Sequence, residues 1–278
     1  MKKNIKLIML AFVVALLQAC GGDDAATGTA SAKKAIAKLD TSKPDGAFLA
    51  VVEAVKGNDV IALMQATMSK ADFDKAVAEF DKAKTSYTEA DKQKFKQAMD
   101  MLTTDGAVDN LMAMATPQLE QMRAQLPMML AMGKGMAAQA IQSNPDIPAN
   151  QKETTTKALN AVMDFLGEND VLSDDVTRKA ISAAVNTAKK LDMKSLDDLQ
   201  NMSFEQAMGK ASIVMGGVKN VMGAYGISLD DMLSTIKVTD VQENGDTANM
   251  KLAFDFLGQT FNQDVKMVKK DGKWVAEK

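Results

Sequence analysis

Histidine is absent from all 278 residues, and cysteine occurs once, at Cys20. The first absence removes the commonest general base, every Ser-His-Asp relay and the usual zinc ligand. The second leaves no intramolecular disulfide, so the folded body must be held by its core. Aromatic residues are 5% of the chain, and Tyr87 and Tyr225 are too few and too scattered for a sugar-stacking platform. Clustered positive charge is missing as well. The 33 basic residues stand against 36 acidic ones, for a net charge of −3. That balance excludes nucleic acid as an expected partner. No glycine-rich phosphate loop occurs, because Gly133-Lys134-Gly135 lacks both the spacing and the terminal Lys-Ser or Lys-Thr pair. The sequence therefore offers no catalytic residue, no metal ligand set and no cofactor motif, and the expectation is a protein that is not an enzyme.

The amino terminus is distinctive. Lys2, Lys3 and Lys6 precede an uncharged stretch from Leu7 to Leu17, which is too short to span a bilayer and reads as a secretion signal. Leu17-Gln18-Ala19-Cys20-Gly21 then resembles the lipobox of bacterial lipoproteins. The resemblance implies cleavage after Ala19, lipid on Cys20 and firm anchoring by several acyl chains. Because Gly21 is not aspartate, it also implies the outer membrane, facing the periplasm, with exposure at the cell surface left open. On this reading residues 1–19 are the signal peptide. Residues 20–44, rich in Ala, Thr, Ser, Asp and Lys, are the lipidated amino terminus and tether.

Helical periodicity then runs from Ala47 to about Ile227. Phe48, Val51, Val52 and Val55 share one face, and Gly57-Asn58 closes that helix. Ser69 with Asp72 and Thr88 with Asp91 read as helix starts, as do Ser173 and the Ser203/Gln206 capping box. Thr104-Asp105-Gly106 breaks the pattern. Pro117 and Pro127 bracket Leu119, Met122 and Leu126, and Pro127 starts a helix or kinks one. The paired acids Asp174-Asp175, Asp197-Asp198 and Asp230-Asp231 fall near helix starts, where negative charge suits the helix dipole better than it suggests catalysis. These signals divide the body into a first helical region at 45–143, a Pro-containing linker at 144–150 and a second helical region at 151–233.

The last long helix carries Met208-Gly209, Met215-Gly216 and Met222-Gly223 at seven-residue intervals. Glycine costs about 1 kcal/mol against alanine in a helix interior. Gly209, Gly216, Gly217 and Gly223 therefore suggest close approach of another helix, with Met122, Met129 and Met136 as a candidate facing surface. Elsewhere, Met128, Met129, Met132 and Met136 cluster largely on one helical side. Thioethers could select Cu(I) or line an adaptable binding surface, but methionine at helical spacing is most simply core.

Near residue 235 the period becomes two. Met250, Leu252, Phe254 and Phe256 alternate with Lys251, Ala253 and Asp255, and Asn244-Gly245 and Asp271-Gly272 mark turns. Residues 234–278 thus read as an antiparallel meander, forming one unit with the preceding helices around Phe204–Leu233, which would cover its apolar face. Asn244-Gly245-Asp246-Thr247-Ala248, Val265 to Val268 and Asp271-Gly272-Lys273-Trp274 resemble the carboxy-terminal half of NTF2-like or cystatin-like lipoprotein domains. That resemblance implies a curved sheet wrapping helices and a pocket in many members.

The expected fold class is α+β, predominantly α: a multi-helical body followed by a small antiparallel β-meander packed on helices. The expected function is a membrane-anchored, non-catalytic binding or scaffolding role, with lipid and an envelope protein as partners. The alternative is a carrier for an apolar ligand, held between sheet and helices against Met222, Phe254 and Phe256.

Overall fold

The computed structural model describes residues 32–145, 147 and 149–277. It is predominantly helical with a small antiparallel sheet at its carboxy-terminal end, an α+β architecture. After a short helical stretch at 32–36, the helices are α1 (Pro44–Lys56), α2 (Val60–Thr67), α3 (Lys70–Ala83), α4 (Glu89–Thr103) and α5 (Ala107–Ser143). They continue as α6 (Ala149–Glu168), α7 (Asp174–Leu191), α8 (Asp197–Gln200), α9 (Phe204–Ala224) and α10 (Leu229–Ser234). The strands are β1 (Lys237–Asn244), β2 (Thr247–Phe256), β3 (Gln259–Lys270) and β4 (Lys273–Ala276).

Local chemistry sets the helix starts. Ser69 and Ser173 accept from the backbone N–H groups of Asp72 and Val176. Thr88 with Asp91 and Ser203 with Gln206 form reciprocal capping boxes, each satisfying two orphan amide donors. Two prolines do not interrupt α5, which runs for 37 residues through Pro117 and Pro127. Both proline rings are exposed, so neither forces a buried neighbour aside. Helix α6 packs back along α5, and the two form a hairpin arm. A Cβ at Gly133 would stand 3.5 Å from Met163 Cε, and one at Gly167 3.6 Å from Leu130 Cδ1.

The main helical core lies between α7 and α9. One cluster joins Phe95 and Met99 of α4 to Ala188 and Leu191 of α7, Val214 of α9 and the connecting Met193 and Leu196. A second joins Val60 of α2 and Phe80 of α3 to Phe204, Ala207 and Met208 of α9. There Phe204 meets Phe73 and Phe80 edge-on, with ring centroids 5.8 and 5.7 Å apart.

The sheet has the order β1-β2-β3-β4 with antiparallel neighbours. Alternation places Ala248, Met250 and Leu252 of β2, and Phe261 and Met267 of β3, on the buried face. The curved sheet implied by the NTF2-like or cystatin-like resemblance is not what forms: this sheet is flat and does not curl around helices. Curling needs bulges or glycine kinks within strands. None of the four strands contains glycine, β2 and β3 pair without a register shift, and the one irregularity lies between Val238 and Asp240.

The cover of the sheet also differs from expectation. It is α1, from the opposite end of the chain, that packs on the apolar face. Ala47 and Phe48 lie against Ala248, Met250, Met267 and Trp274. Trp274 is fully buried, and its indole N–H donates to the Ser42 carbonyl at 3.0 Å. The short α10 touches β2, while α9 is committed to α7 and α2. The reason is chemical: α9 already spends its apolar side on the helical core, whereas α1 has small residues, Ala47 and Ala50, that let a helix lie close to strands.

Candidate functional site

The most unusual surface belongs to α5. Its inward side carries Met112, Leu119, Arg123, Leu126, Leu130 and Lys134, all buried or half-buried. The charged members of that side are engaged. Arg123 donates to the Leu172 carbonyl and to Asp174, the latter at 2.5 Å, and Lys134 pairs with Asp164 of α6. These contacts fix which way the helix faces.

The outward side is what they leave exposed. Met114, Met122, Met128, Met129, Met132 and Met136 are 62, 51, 69, 60, 60 and 67% exposed. At 3.6 residues per turn these six share an arc of about 120° with Gln118, Gln121, Gln125 and Gln139. No charged residue falls in this arc, and from residue 121 to the end of α5 the only charges are Arg123 and Lys134 on the inward side. From Met114 to Met136 the stripe is about 33 Å long, at 1.5 Å per residue. Methionine at these positions is therefore not core. Met122, Met129 and Met136 do not face the glycines of α9, because the inward side of α5 packs on α6 and α7.

Those glycines separate into kinds. A Cβ at Gly217 would stand 2.7 Å from Thr187 Cγ2, so α7 and α9 make their closest approach there. Gly216 is buried. At Gly209 and Gly223 a Cβ would meet nothing within 4 Å.

Met222, Phe254 and Phe256 are half-buried. Phe254 stacks on Phe261 at 5.6 Å, and Phe256 lies 6.3 Å from the same ring. Lys157 of α6 sits 5.0 Å above Phe261 and donates to the Thr260 carbonyl, closing this aromatic group from one side. The concavity beside it, about 430 Å³, is lined by Gln142, Glu153, Thr156, Lys157, Asn160 and Gln259. All six lining residues are polar or charged, and Met222, Phe254 and Phe256 are not among them.

The paired acids hold structural positions. Asp174-Asp175, Asp197-Asp198 and Asp230-Asp231 occupy the first turns of α7, α8 and α10. Asp197 pairs with Lys92 at 2.7 Å, and together with Glu89 it holds that ammonium above the ordinary lysine range. Asp198 accepts from the Lys194 and Ser195 amides, and Asp230 takes the buried Lys219 at 2.6 Å. Among the described residues no three His, Cys, Asp or Glu side chains group to hold a metal ion. No helix among them is long and apolar enough to cross a membrane.

No family model, curated protein or solved structure matches the chain. The identification as a bacterial lipoprotein ending in an NTF2-like or cystatin-like domain does not hold: no family match supports it, and the flat meander lacks the curvature that family requires. Leu17, Gln18, Ala19, Cys20 and Gly21, which carried the lipobox resemblance, lie outside the described residues.

Proposed function

We propose that the protein works by binding rather than catalysis, and that the methionine-glutamine face of α5 is the surface that receives a partner protein. The observation that carries this reading is the uncharged outward arc, on a chain whose composition is 25% charged. Contiguous exposed apolar surface of this extent marks interaction sites. The occupant suited to it is an apolar helix face. Met122, Met129 and Met136 recur every seven residues, the spacing that keeps a seam aligned with a second helix. Methionine adds adaptability, since its unbranched thioether side chain repacks against partners of varied shape. The glutamines supply hydrogen-bonding groups without imposing a charge on the partner.

Site-specific photocrosslinking in the producing cell tests this. A crosslinker at Gln125 or Gln139 is expected to give the same discrete protein adduct. A crosslinker at Gln242, on the exposed face of β1, gives none of it. The double variant Met129→Lys/Met132→Lys should lose the adduct while remaining folded. Equal adducts from Gln242, or survival of the adduct in the lysine variant, defeats the reading.

A further inference from the structure

We infer that Met128, Met129, Met132 and Met136 form a binding site for a soft monovalent cation, of the Cu(I) and Ag(I) class. Exposure is the first reason. Each of the four is at least 60% exposed, so burial in a core does not account for this concentration of thioethers within nine residues. Spacing is the second. Met128 and Met132 are four residues apart, as are Met132 and Met136, while Met129 and Met132 are three apart. Such helical neighbours have Cβ atoms roughly 5–6 Å apart. Met128, Met129 and Met132 thus make a triangle whose flexible side chains can bring three sulfurs onto one ion, with Met136 one turn beyond.

The surroundings select the class of ion. Thioethers are soft ligands that favour Cu(I), whereas Mg, Ca and Mn need carboxylate or carbonyl oxygen. From residue 121 onward α5 has no carboxylate. The two cations of this stretch, Arg123 and Lys134, project from the inward side and are held by Asp174 and Asp164, so they do not repel an ion on the outward arc. The site shares Met129, Met132 and Met136 with the proposed partner surface, but it calls on their sulfur atoms rather than on their apolar area.

Leucine substitution separates the two, since it keeps apolar bulk and helix propensity while removing sulfur. The full chain is titrated calorimetrically with Ag(I) in chloride-free buffer, and with Cu(I) in competition with a chromophoric chelator. One equivalent is expected to bind, with shifts in the methionine ε-methyl resonances of residues 128, 129 and 132. The variant with leucine at all four positions should lose at least tenfold in affinity, whereas Met114→Leu/Met122→Leu should bind like the wild type. Absence of binding by the wild type, or equal affinity in the fourfold leucine variant, overturns the site. The α5 crosslinks should persist in the fourfold leucine variant and vanish in the lysine variant, so the failure of one proposal is distinguishable from the failure of the other.

Discussion

Single residues show how differently one amino acid can serve along the same helix. Gly217 and Gly209 both lie within α9, but only Gly217 faces a neighbour closely enough to exclude a methyl group. Gly217→Ala should cost about 1–3 kcal/mol by forcing α7 and α9 apart at Thr187. Gly209→Ala should gain up to about 1 kcal/mol, because it adds helix propensity into open space. Urea unfolding reads both as opposite shifts in midpoint at constant slope. Tyr87 makes a different residue-scale case. It packs on the core cluster around Phe95 and Met99, where burial first, and the Asp91 charge second, push its phenol above the ordinary value of 10.0. The folded state therefore keeps the proton longer than the unfolded chain does. That contribution to stability is complete below pH 10 and is lost as pH rises through the folded value. Tyr87→Phe should flatten the fall of the urea midpoint above pH 10, with tyrosinate absorbance in the wild type marking the same window. An unchanged fall in the variant would assign the alkaline loss to other groups.

At the scale of elements, the sequence was most readable where the physics is local. Ser69, Thr88, Ser173 and Ser203 declared helix starts because a cap needs only its own next three residues. Alternation in β2 and β3 declared the strands for the same reason. The turn between those strands was not declared. Leu257 holds a positive φ of 47° there, a conformation for which leucine gives no signal, while Gly245, Gly258 and Gly272 sit in the turns at values glycine favours. The α5 arm shows the deeper limit. Periodicity identified methionine stripes but not which way they point, because orientation is set by Arg123 and Lys134 reaching partners on other segments. Opposite responses to charge follow from that orientation. Met132→Lys, on the exposed arc, should change stability by less than about 0.5 kcal/mol. Met99→Lys, at 5% exposure in the core, should cost several kcal/mol, since an unpaired ammonium would be buried. Thermal and urea denaturation check both, and a destabilised Met132→Lys would mean that the arc is packed against the body after all.

For the whole molecule, the connection that matters most is the one with the greatest sequence separation. The sheet at the carboxy-terminal end cannot bury its own face, and α1 supplies the cover through Ala47, Phe48 and the Ser42–Trp274 hydrogen bond. Lys273 adds a second tie by donating to the Met68 carbonyl at the end of α2, in a partly buried setting that pushes its ammonium below the usual lysine range. Nothing in the local pattern of either end names the other, so the sequence alone points to the adjacent helices as the cover. Because Ala47, Phe48 and Trp274 share one buried cluster, α1 and the sheet are expected to open together, apart from the α7–α9 core and the α5–α6 arm. Trp274→Ala, which removes a fully buried ring and leaves the Ser42 carbonyl without its donor, should cost about 3–5 kcal/mol. In hydrogen exchange its effect should be regional. Amides of α1, β2, β3 and β4 should lose protection together, those of α7 and α9 should lose much less, and the outer turns of α5 should exchange readily in both proteins. If α1 kept its protection while the strands lost theirs, the helix would be anchored by α2 rather than by the sheet, and the two ends of the chain would not be a single cooperative unit.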